Sequence, residues 1–268
     1  MLVRTKGDRV MEDKDFLQFI DRIKHKTGID LALYKEAQMK RRLTSLRVKR
    51  GYHTFEDFFE AMTKNQELFN EFLDRMTINV SEFFRNPSRW EVLEKKILPR
   101  LLNEKGKIKC WSAACSTGEE PYSLAMLLTR FMPLHEIDIT ATDIDEGAIA
   151  KAKRGLYTER SLQDAPKDLI GKYFKKDGIT YTISEDIKRL IKFKRHNMLA
   201  DAFDKNCDLI ICRNVMIYFT EEAKHELYHK FAASLRTGGV LFVGSTEQIF
   251  QPQQYGFEPE DTFFYRKM

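Results

Sequence analysis

The sequence of 268 residues predicts an α/β fold. A mainly parallel sheet covered by helices, with an antiparallel last strand, follows a small all-α domain and carries a small β insert. Three observations predict it. Residues 11–104 place apolar side chains at helical spacing throughout. From Lys107 short apolar runs alternate with helical stretches, the grammar of strands buried on both faces of a parallel sheet. Residues 155–196 interrupt that alternation with strand-like pieces.

The elements follow in order. Residues 1–10 (M-L-V-R-T-K-G-D-R-V) lack the apolar centre of a secretory signal, and Met11 opens a more ordinary start. They are expected to be an extension outside the fold. The N-terminal domain spans 11–92. D-F-L-Q-F-I-D-R-I (15–23) has helical spacing, and a basic helix over 34–50 stops at Gly51. Thr54 can cap F-E-D-F-F-E-A-M, and E-L-F-N-E-F-L-D-R-M continues the pattern. The second domain spans 93–268. Strands are expected at 107–113, 137–143, 207–213 and 238–245, with helices at Glu119–Phe131, Glu146–Arg154 and Glu221–Leu235. The tail D-T-F-F-Y-R-K-M follows its predecessor without a convincing helix, so it is expected to run antiparallel. The insert, at about 155–196, holds a hairpin turning at Asp177-Gly178, before the strand I-K-F-K-R.

Composition removes several classes. Hydrophobic residues at 43% exclude a disordered chain. No apolar run approaches the roughly 18–20 residues of a membrane span. Cys110, Cys115, Cys207 and Cys212 have no C-x-x-C spacing and sit in apolar strand contexts, which suits core residues in a reducing cytoplasm and no metal site. H-E-L-Y-H (225–229) matches a zinc-protease pattern. It falls on a crossover helix expected to lie over the sheet, away from the carboxyl-end cleft, so surface histidines are the simpler reading.

Net charge is +5 and unevenly placed. Lys35, Lys40, Arg41, Arg42, Arg47, Lys49 and Arg50 stand against the single acid Glu36. On a helix, Met39, Leu43 and Leu46 form a narrow buried stripe with the cations along its flanks. This predicts docking of an acidic helix with electrostatic steering. Phosphate contact is disfavoured because no exposed aromatics interleave with the cations.

The stretch W-S-A-A-C-S-T-G-E-E-P-Y-S (111–123) ends a strand, turns through one glycine and starts a helix. Such turns commonly bind phosphate. Glu119 and Glu120 would repel one, and neither G-x-x-x-x-G-K-[ST] nor G-x-G-x-x-G is present. An ammonium would suit Glu119. Asp143, at the end of the next strand in T-D-I-D, occupies the place where such folds grip ribose hydroxyls. A nucleoside with an ammonium and no polyphosphate is expected, and S-adenosylmethionine meets that description better than NAD or ATP.

These stretches, with N-V-S-E-F-F-R (79–85) and C-R-N-V-M-I-Y-F (212–219), resemble the CheR family of chemotaxis receptor methyltransferases, its Bacillus-type members in particular. The likeness runs from about Asp13 to the C-terminus. It implies a Rossmann-like class I S-adenosylmethionine-dependent methyltransferase fold over 93–268. It also implies methylation of glutamate side chains on the cytoplasmic coiled coil of chemoreceptors, by a cytoplasmic, monomeric enzyme. The cofactor site would comprise Asn79, Ser81, Arg85, Glu119, Asp143, Asn197, Met198, Arg213 and Asn214, with Arg85 and Tyr218 facing the acceptor carboxylate. Many members have Thr where Ser81 stands, and Ser keeps the hydroxyl. The hairpin K-K-D-G-I lacks the extra glycines of members whose insert binds a receptor C-terminal peptide, so that tether is not expected. Two alternatives stay open on the residues: a nucleic-acid methyltransferase and a non-catalytic S-adenosylmethionine sensor. Against the first, the place where many base methyltransferases carry a [DNS]-P-P-[FYW] loop reads R-N-V-M-I-Y-F.

Overall fold

The computed structural model describes residues 6–77 and 79–268, with side chains from Lys14 onward. They form two compact units, one of residues up to 78 together with Tyr218–Lys224, the other of Asn79–Ile217 and His225–Met268. Helical periodicity alone places the boundary at residue 92; by compactness Asn79–Val92 group with the larger unit. The first five residues of the expected extension lie outside the described residues, and helix α1 runs from Lys6 to Thr27.

The smaller unit adds α2 (Glu36–Lys49), α3 (Phe55–Lys64) and α4 (Gln66–Thr77). Its core is aromatic: Phe16, Phe19, Phe55, Phe58 and Phe72 are all at most 2% exposed. Phe19 and Phe55 lie 4.9 Å apart between ring centroids, and Phe19 meets Phe72 edge-on at 6.0 Å. Thr54 caps α3 as expected, its hydroxyl oxygen accepting from the Asp57 N–H at 3.0 Å. The Asp15 carboxylate accepts from the Phe55 and Glu56 N–H groups at 2.7 and 3.2 Å. Those donors have no partner within the helix, so α1 closes the start of α3. Met39, Leu43 and Leu46 are buried, as the helical stripe requires. Residues 218–220 join this unit through an isolated bridge between Tyr34 and Phe219. The Lys35 N–H donates to the Tyr218 carbonyl at 2.8 Å, and the Thr220 N–H to the Leu33 carbonyl at 2.9 Å.

The larger unit begins with a loop over 79–86, where periodicity predicts continuous helix. Then come α5 (Pro87–Val92), a π-helical turn at Leu93–Ile97 and α6 (Leu98–Lys105). The alternating part runs β1 (Cys110–Ala113), α7 (Glu119–Leu128), β2 (Ile139–Asp143) and α8 (Glu146–Arg154). The insert holds β3 (Leu156–Thr158), α9 (Lys167–Tyr173), β4 (Phe174–Asp177), β5 (Thr180–Ile183) and α10 (Glu185–Lys188). The main sheet resumes with β6 (Ile191–Arg195), β7 (Cys207–Cys212), α11 (Glu221–Ser234), β8 (Leu235–Val243), β9 (Phe257–Asp261) and β10 (Phe264–Lys267).

The strand order is β6-β2-β1-β7-β8-β10-β9, and the insert forms a separate sheet β3-β5-β4. Strands β6 to β8 pair in parallel, whereas β10 runs antiparallel to both β8 and β9. The expected antiparallel tail is therefore β10. Strand β9 is not legible in sequence because F-E-P-E-D has three acids and a proline, tolerable only at a sheet edge, where β9 lies. The chain leaves β1 in one direction to β2 and returns on the other side in β7. The carboxyl ends of β1, β2 and β7 thus open onto a topological switch point, the usual ligand crevice of such sheets.

Truncation of the central ring of the smaller unit, Phe19→Ala, is expected to cost about 3–5 kcal/mol, read as a shifted midpoint in urea unfolding.

Candidate active site

At the end of β1 the chain turns sharply, with Ala114 and Ser116 at positive φ and Gly118 at φ +95°. A Cβ at Gly118 would meet the Ala152 Cβ at 2.8 Å and the Tyr157 hydroxyl at 3.1 Å, so only glycine lets this turn pack on α8 and β3. The turn delivers Glu119 to the first position of α7, where the helix dipole favours its charge. Glu119 is 5% exposed and makes no ion pair among the described residues. One oxygen accepts from the Thr117 hydroxyl at 2.7 Å. Burial pushes its carboxyl pKa up, against the Thr117 and Ser81 hydrogen bonds, which pull it down. It lines a cavity of about 550 Å³ with Asn79, Ser81, Thr117 and Tyr157. A buried carboxylate without a cation, facing a cavity, fits an ammonium ligand.

Glu120 points elsewhere. It accepts from the Ser112 hydroxyl at 2.8 Å and lies 4.0 Å from the Arg213 guanidinium. Burial raises its pKa to about 7, with Arg213 the largest opposing influence. The two glutamates of the motif therefore play different parts, Glu119 facing the cavity and Glu120 countering a buried cation.

At the end of β2, Asp143 accepts from the Ser116 N–H at 2.8 Å and from the Asp145 N–H at 2.9 Å, one bond to each oxygen. Each oxygen keeps a lone pair for a hydroxyl donor. Burial raises its pKa to about 6, against the pull of those N–H groups. Asn79 donates to the Asp145 carboxylate at 2.7 Å and accepts from the Ser116 hydroxyl at 2.9 Å. One network thus ties the 79–86 loop to the ends of β1 and β2.

That loop is fixed along its length. The Phe83 N–H donates to the Ser161 carbonyl at 2.8 Å, and the Phe84 N–H to the Ser123 hydroxyl at 3.0 Å. Phe84 and Asn86 have φ of +52° and +62° on either side of Arg85, a strained course that needs outside support. Arg213 supplies it. Its Nη2 donates to the Arg85 carbonyl at 2.9 Å and to the Asn86 Oδ1 at 2.8 Å, and its plane lies 4.8 Å from the Phe242 ring centroid. The Arg85 guanidinium is half-buried and makes no ion pair among the described residues. Asn197 and Met198 form the turn after β6: the Asn197 side chain accepts from the Leu199 N–H at 3.0 Å, and Lys230 donates to the Met198 carbonyl at 2.6 Å. Tyr218 belongs to the smaller unit, its ring 4.8 Å from the Arg42 guanidinium.

One residue of the site is not marked by any motif. Glu247 is 5% exposed, and its carboxylate accepts from the N–H groups of Asn214 at 2.6 Å, Gly244 at 2.9 Å and Ile217 at 3.3 Å. It holds Asn214 at φ +59°. A Cβ on Gly244 would meet the Glu247 Oε2 at 2.6 Å. The short phrase G-S-T-E after an apolar strand was the available signal, but nothing in it says where the carboxylate turns.

A family model described as CheR methyltransferase, SAM binding domain, matches residues 79–264, and one described as CheR methyltransferase, all-alpha domain, matches residues 14–77. The chain belongs to the CheR methyltransferase family. It is 49% identical to a chemotaxis protein methyltransferase of Listeria monocytogenes, over 95% of this chain and 98% of that one. A chemotaxis protein methyltransferase of Borreliella burgdorferi is 35% identical, with 83% of each chain covered. Chemotaxis protein methyltransferase 2 of Vibrio cholerae is 34% identical over 90% of this chain and 87% of that one. The chain is thus a methyltransferase of the chemotaxis type, and its cofactor is S-adenosylmethionine. Glu119 and the Asp143 lone pairs fit that cofactor, as ammonium partner and hydroxyl acceptor.

The basic helix needs one correction. Arg47 was expected among the docking cations, but it is 5% exposed. It donates to the Tyr52 carbonyl at 3.1 Å and to the His53 carbonyl, and lies 4.9 Å from the Phe55 ring centroid. It satisfies the turn after Gly51 and is not available to a partner. Lys49 and Arg50 both approach Glu71, at 3.8 and 2.6 Å, while Arg41 is exposed to solvent.

Two expectations follow. Because the folded state holds the Glu120 proton more tightly than the unfolded chain, this group's contribution to stability falls as pH rises from about 4.5 to about 7. Glu120→Gln should therefore lose less stability than the wild type between pH 5 and pH 8, measured by urea unfolding at each pH. Glu247→Ala strands buried N–H groups and should cost about 3 kcal/mol as well as weakening cofactor binding in calorimetry. Glu247→Gln keeps one oxygen acceptor and should recover part of both.

Proposed function

We propose that the protein transfers methyl groups from S-adenosylmethionine to glutamate side chains on the cytoplasmic coiled coil of chemoreceptors, giving methyl esters and S-adenosylhomocysteine. The observation that carries this reading is the Glu119 cavity lined at Asn79–Glu82 by the same loop that carries Arg85, an arginine that makes no ion pair among the described residues. The cofactor supplies a methyl group on a sulfonium, whose loss leaves a neutral thioether. An acceptor carboxylate, with an ordinary pKa of about 4.3, is already ionised at neutral pH and needs no general base. The protein's contribution is then alignment and exclusion of water, which can supply about 7–11 kcal/mol.

Arg85 offers a planar fork to orient the acceptor carboxylate. Its half-buried position keeps the grip short of full neutralisation, which would blunt the nucleophile. Tyr218 offers one hydroxyl donor and an apolar wall. Glu119 holds the cofactor ammonium, Asp143 the ribose hydroxyls, and Asn79, Ser81, Asn197, Met198 and Asn214 complete the cofactor's surroundings. Arg213 acts through the loop it braces. Lys35, Lys40, Arg41, Arg42, Lys49 and Arg50 steer the acidic receptor helix. The protein acts in the cytoplasm as a monomer, on protein rather than nucleic acid, and α2 does not insert into the membrane.

The test uses methyl-labelled cofactor and a soluble receptor cytoplasmic fragment, followed by mild alkali. Volatile labelled methanol is expected, the mark of a carboxyl ester. Label that stays on the protein would mean N- or S-methylation, and label on RNA instead would favour a nucleic-acid substrate. In the same assay Arg85→Ala should lower kcat/KM by about 100-fold or more, and Lys49→Ala by a few-fold at most. An unchanged rate in Arg85→Ala would remove Arg85 from the site.

A further inference from the structure

Outside Lys35–Arg50 the charges nearly cancel in total, but they do not cancel everywhere. Residues 151–195 hold thirteen Lys and Arg against six Asp and Glu, a local charge of +7. Some of these cations are paired: Lys188 with Glu185 at 2.8 Å, and Lys192 with Asp138 at 2.9 Å. Arg154 and Arg160 are exposed and make no ion pair among the described residues. Together with Lys151 they line the same cavity that Asn79, Ser81 and Glu119 line. Lys151 and Arg154 stand three residues apart in the last turn of α8, so they share one face, and Arg160 follows β3.

A lone surface cation is ordinarily just solvated. Here three cations converge on the mouth of the cavity that holds the ammonium-binding carboxylate. Two large apolar side chains at the same mouth are exposed, Val80 at 66% and Leu156 at 53%. A rim of cations with exposed aliphatic groups between them suits an amphipathic acidic helix. It does not suit a nucleic acid. Glu82 and Glu119 line the cavity and would repel a phosphodiester. The aromatic residue there, Tyr157, is buried with its hydroxyl donating to the Thr117 carbonyl at 2.8 Å, so it offers no stacking face.

We propose that Arg154 and Arg160, beside Lys151, form a second docking surface, which receives the acidic residues flanking the methyl-accepting glutamate of a helical polypeptide. The proposal rests on the acceptor reading given above and adds to it where the acceptor's neighbours sit. The rim raises the local concentration of acidic segments at the cavity mouth and sets which glutamates reach it. Its influence is felt in acceptor binding, declines with salt and leaves the chemical step alone.

The test compares the full-length wild type with Arg154→Glu/Arg160→Glu and with the milder Arg154→Gln/Arg160→Gln. Both positions are exposed, and thermal melts check that the variants stay folded. Three quantities are read: cofactor affinity by calorimetry, binding of a labelled Glu-rich helical peptide by fluorescence anisotropy, and KM for methyl transfer to the receptor fragment at low and high salt. In the Glu variant, peptide Kd and KM should rise about tenfold at low salt, with the gap narrowing at high salt. The Gln variant should fall between, and cofactor affinity and kcat should stay within about twofold.

Unchanged peptide binding and KM in the Glu variant would overturn the proposal. So would a loss of cofactor affinity, which would assign the rim to the cofactor carboxylate, or tighter rim-dependent binding of a mixed-sequence RNA than of the peptide. Rim-dependent peptide binding with no methanol released by the wild type would sink the acceptor reading and leave the rim standing. Methanol released with a rim-independent KM would sink the rim alone.

Discussion

The buried guanidinium of Arg213 is the constraint on which the candidate site depends. Its side chain is 3% exposed, and a cation so placed is costly unless its charge and donors are answered. Glu120 answers the charge, the Arg85 carbonyl and Asn86 side chain answer two donor bonds of Nη2, and the Phe242 ring covers one face, while Nε is left without a hydrogen-bond partner among the described residues. The arrangement fastens the end of β7 to the strained loop that presents Arg85. A lysine could not make it, because a point ammonium lacks the plane that stacks on a ring while Nη2 holds both acceptors and Nη1 turns toward Glu120.

Carboxylates at strand ends follow the same logic in three variants. Asp143 and Glu247 direct their oxygens at backbone N–H groups and so fix turns. Glu120 sets its charge against Arg213. Glu119 has neither use in full: beyond its bond with Thr117, the nearby Ser81 hydroxyl and the dipole of α7, it faces a cavity. The distribution explains why a strand–glycine–helix turn that elsewhere receives phosphate here carries acids. The helix N-terminus already has its negative charge, built into the chain, and what it attracts is a cation.

Charge on the surface is divided between the two units. On α2 part of the basic excess is satisfied internally, with Arg47 closing a turn and Lys49 and Arg50 facing Glu71. On the larger unit Arg154 and Arg160 have no such duty. Counting charges along a helix therefore overstates the cationic face of α2, and summing over the rest of the chain hides the one beside the cavity.

Local pattern was enough for the alternation of strands and helices, the Thr54 cap, the buried stripe of α2, the glycine turn and the acids after it, because each is set by neighbours within a few residues. The long motifs also carried the family and the cofactor. The sequence did not disclose β9, whose proline and acids are tolerated only because β10 pairs with it at an edge. Helical spacing did not disclose the break over 79–86 either, which the family likeness alone marked as a loop over Asn79–Arg85 and which Ser123, Ser161 and Arg213 hold. The sequence singled out Glu119 for the ammonium but could not say that Glu120 faces Arg213, show Arg47 as buried, or find Glu247, since each depends on how the folded chain brings its partners together. Periodicity and capping are local energies and can be read from the chain. Which carboxylate meets which cation, and which cation is left to solvent, is settled only when the sheet closes and burial sets the cost of every unpaired charge.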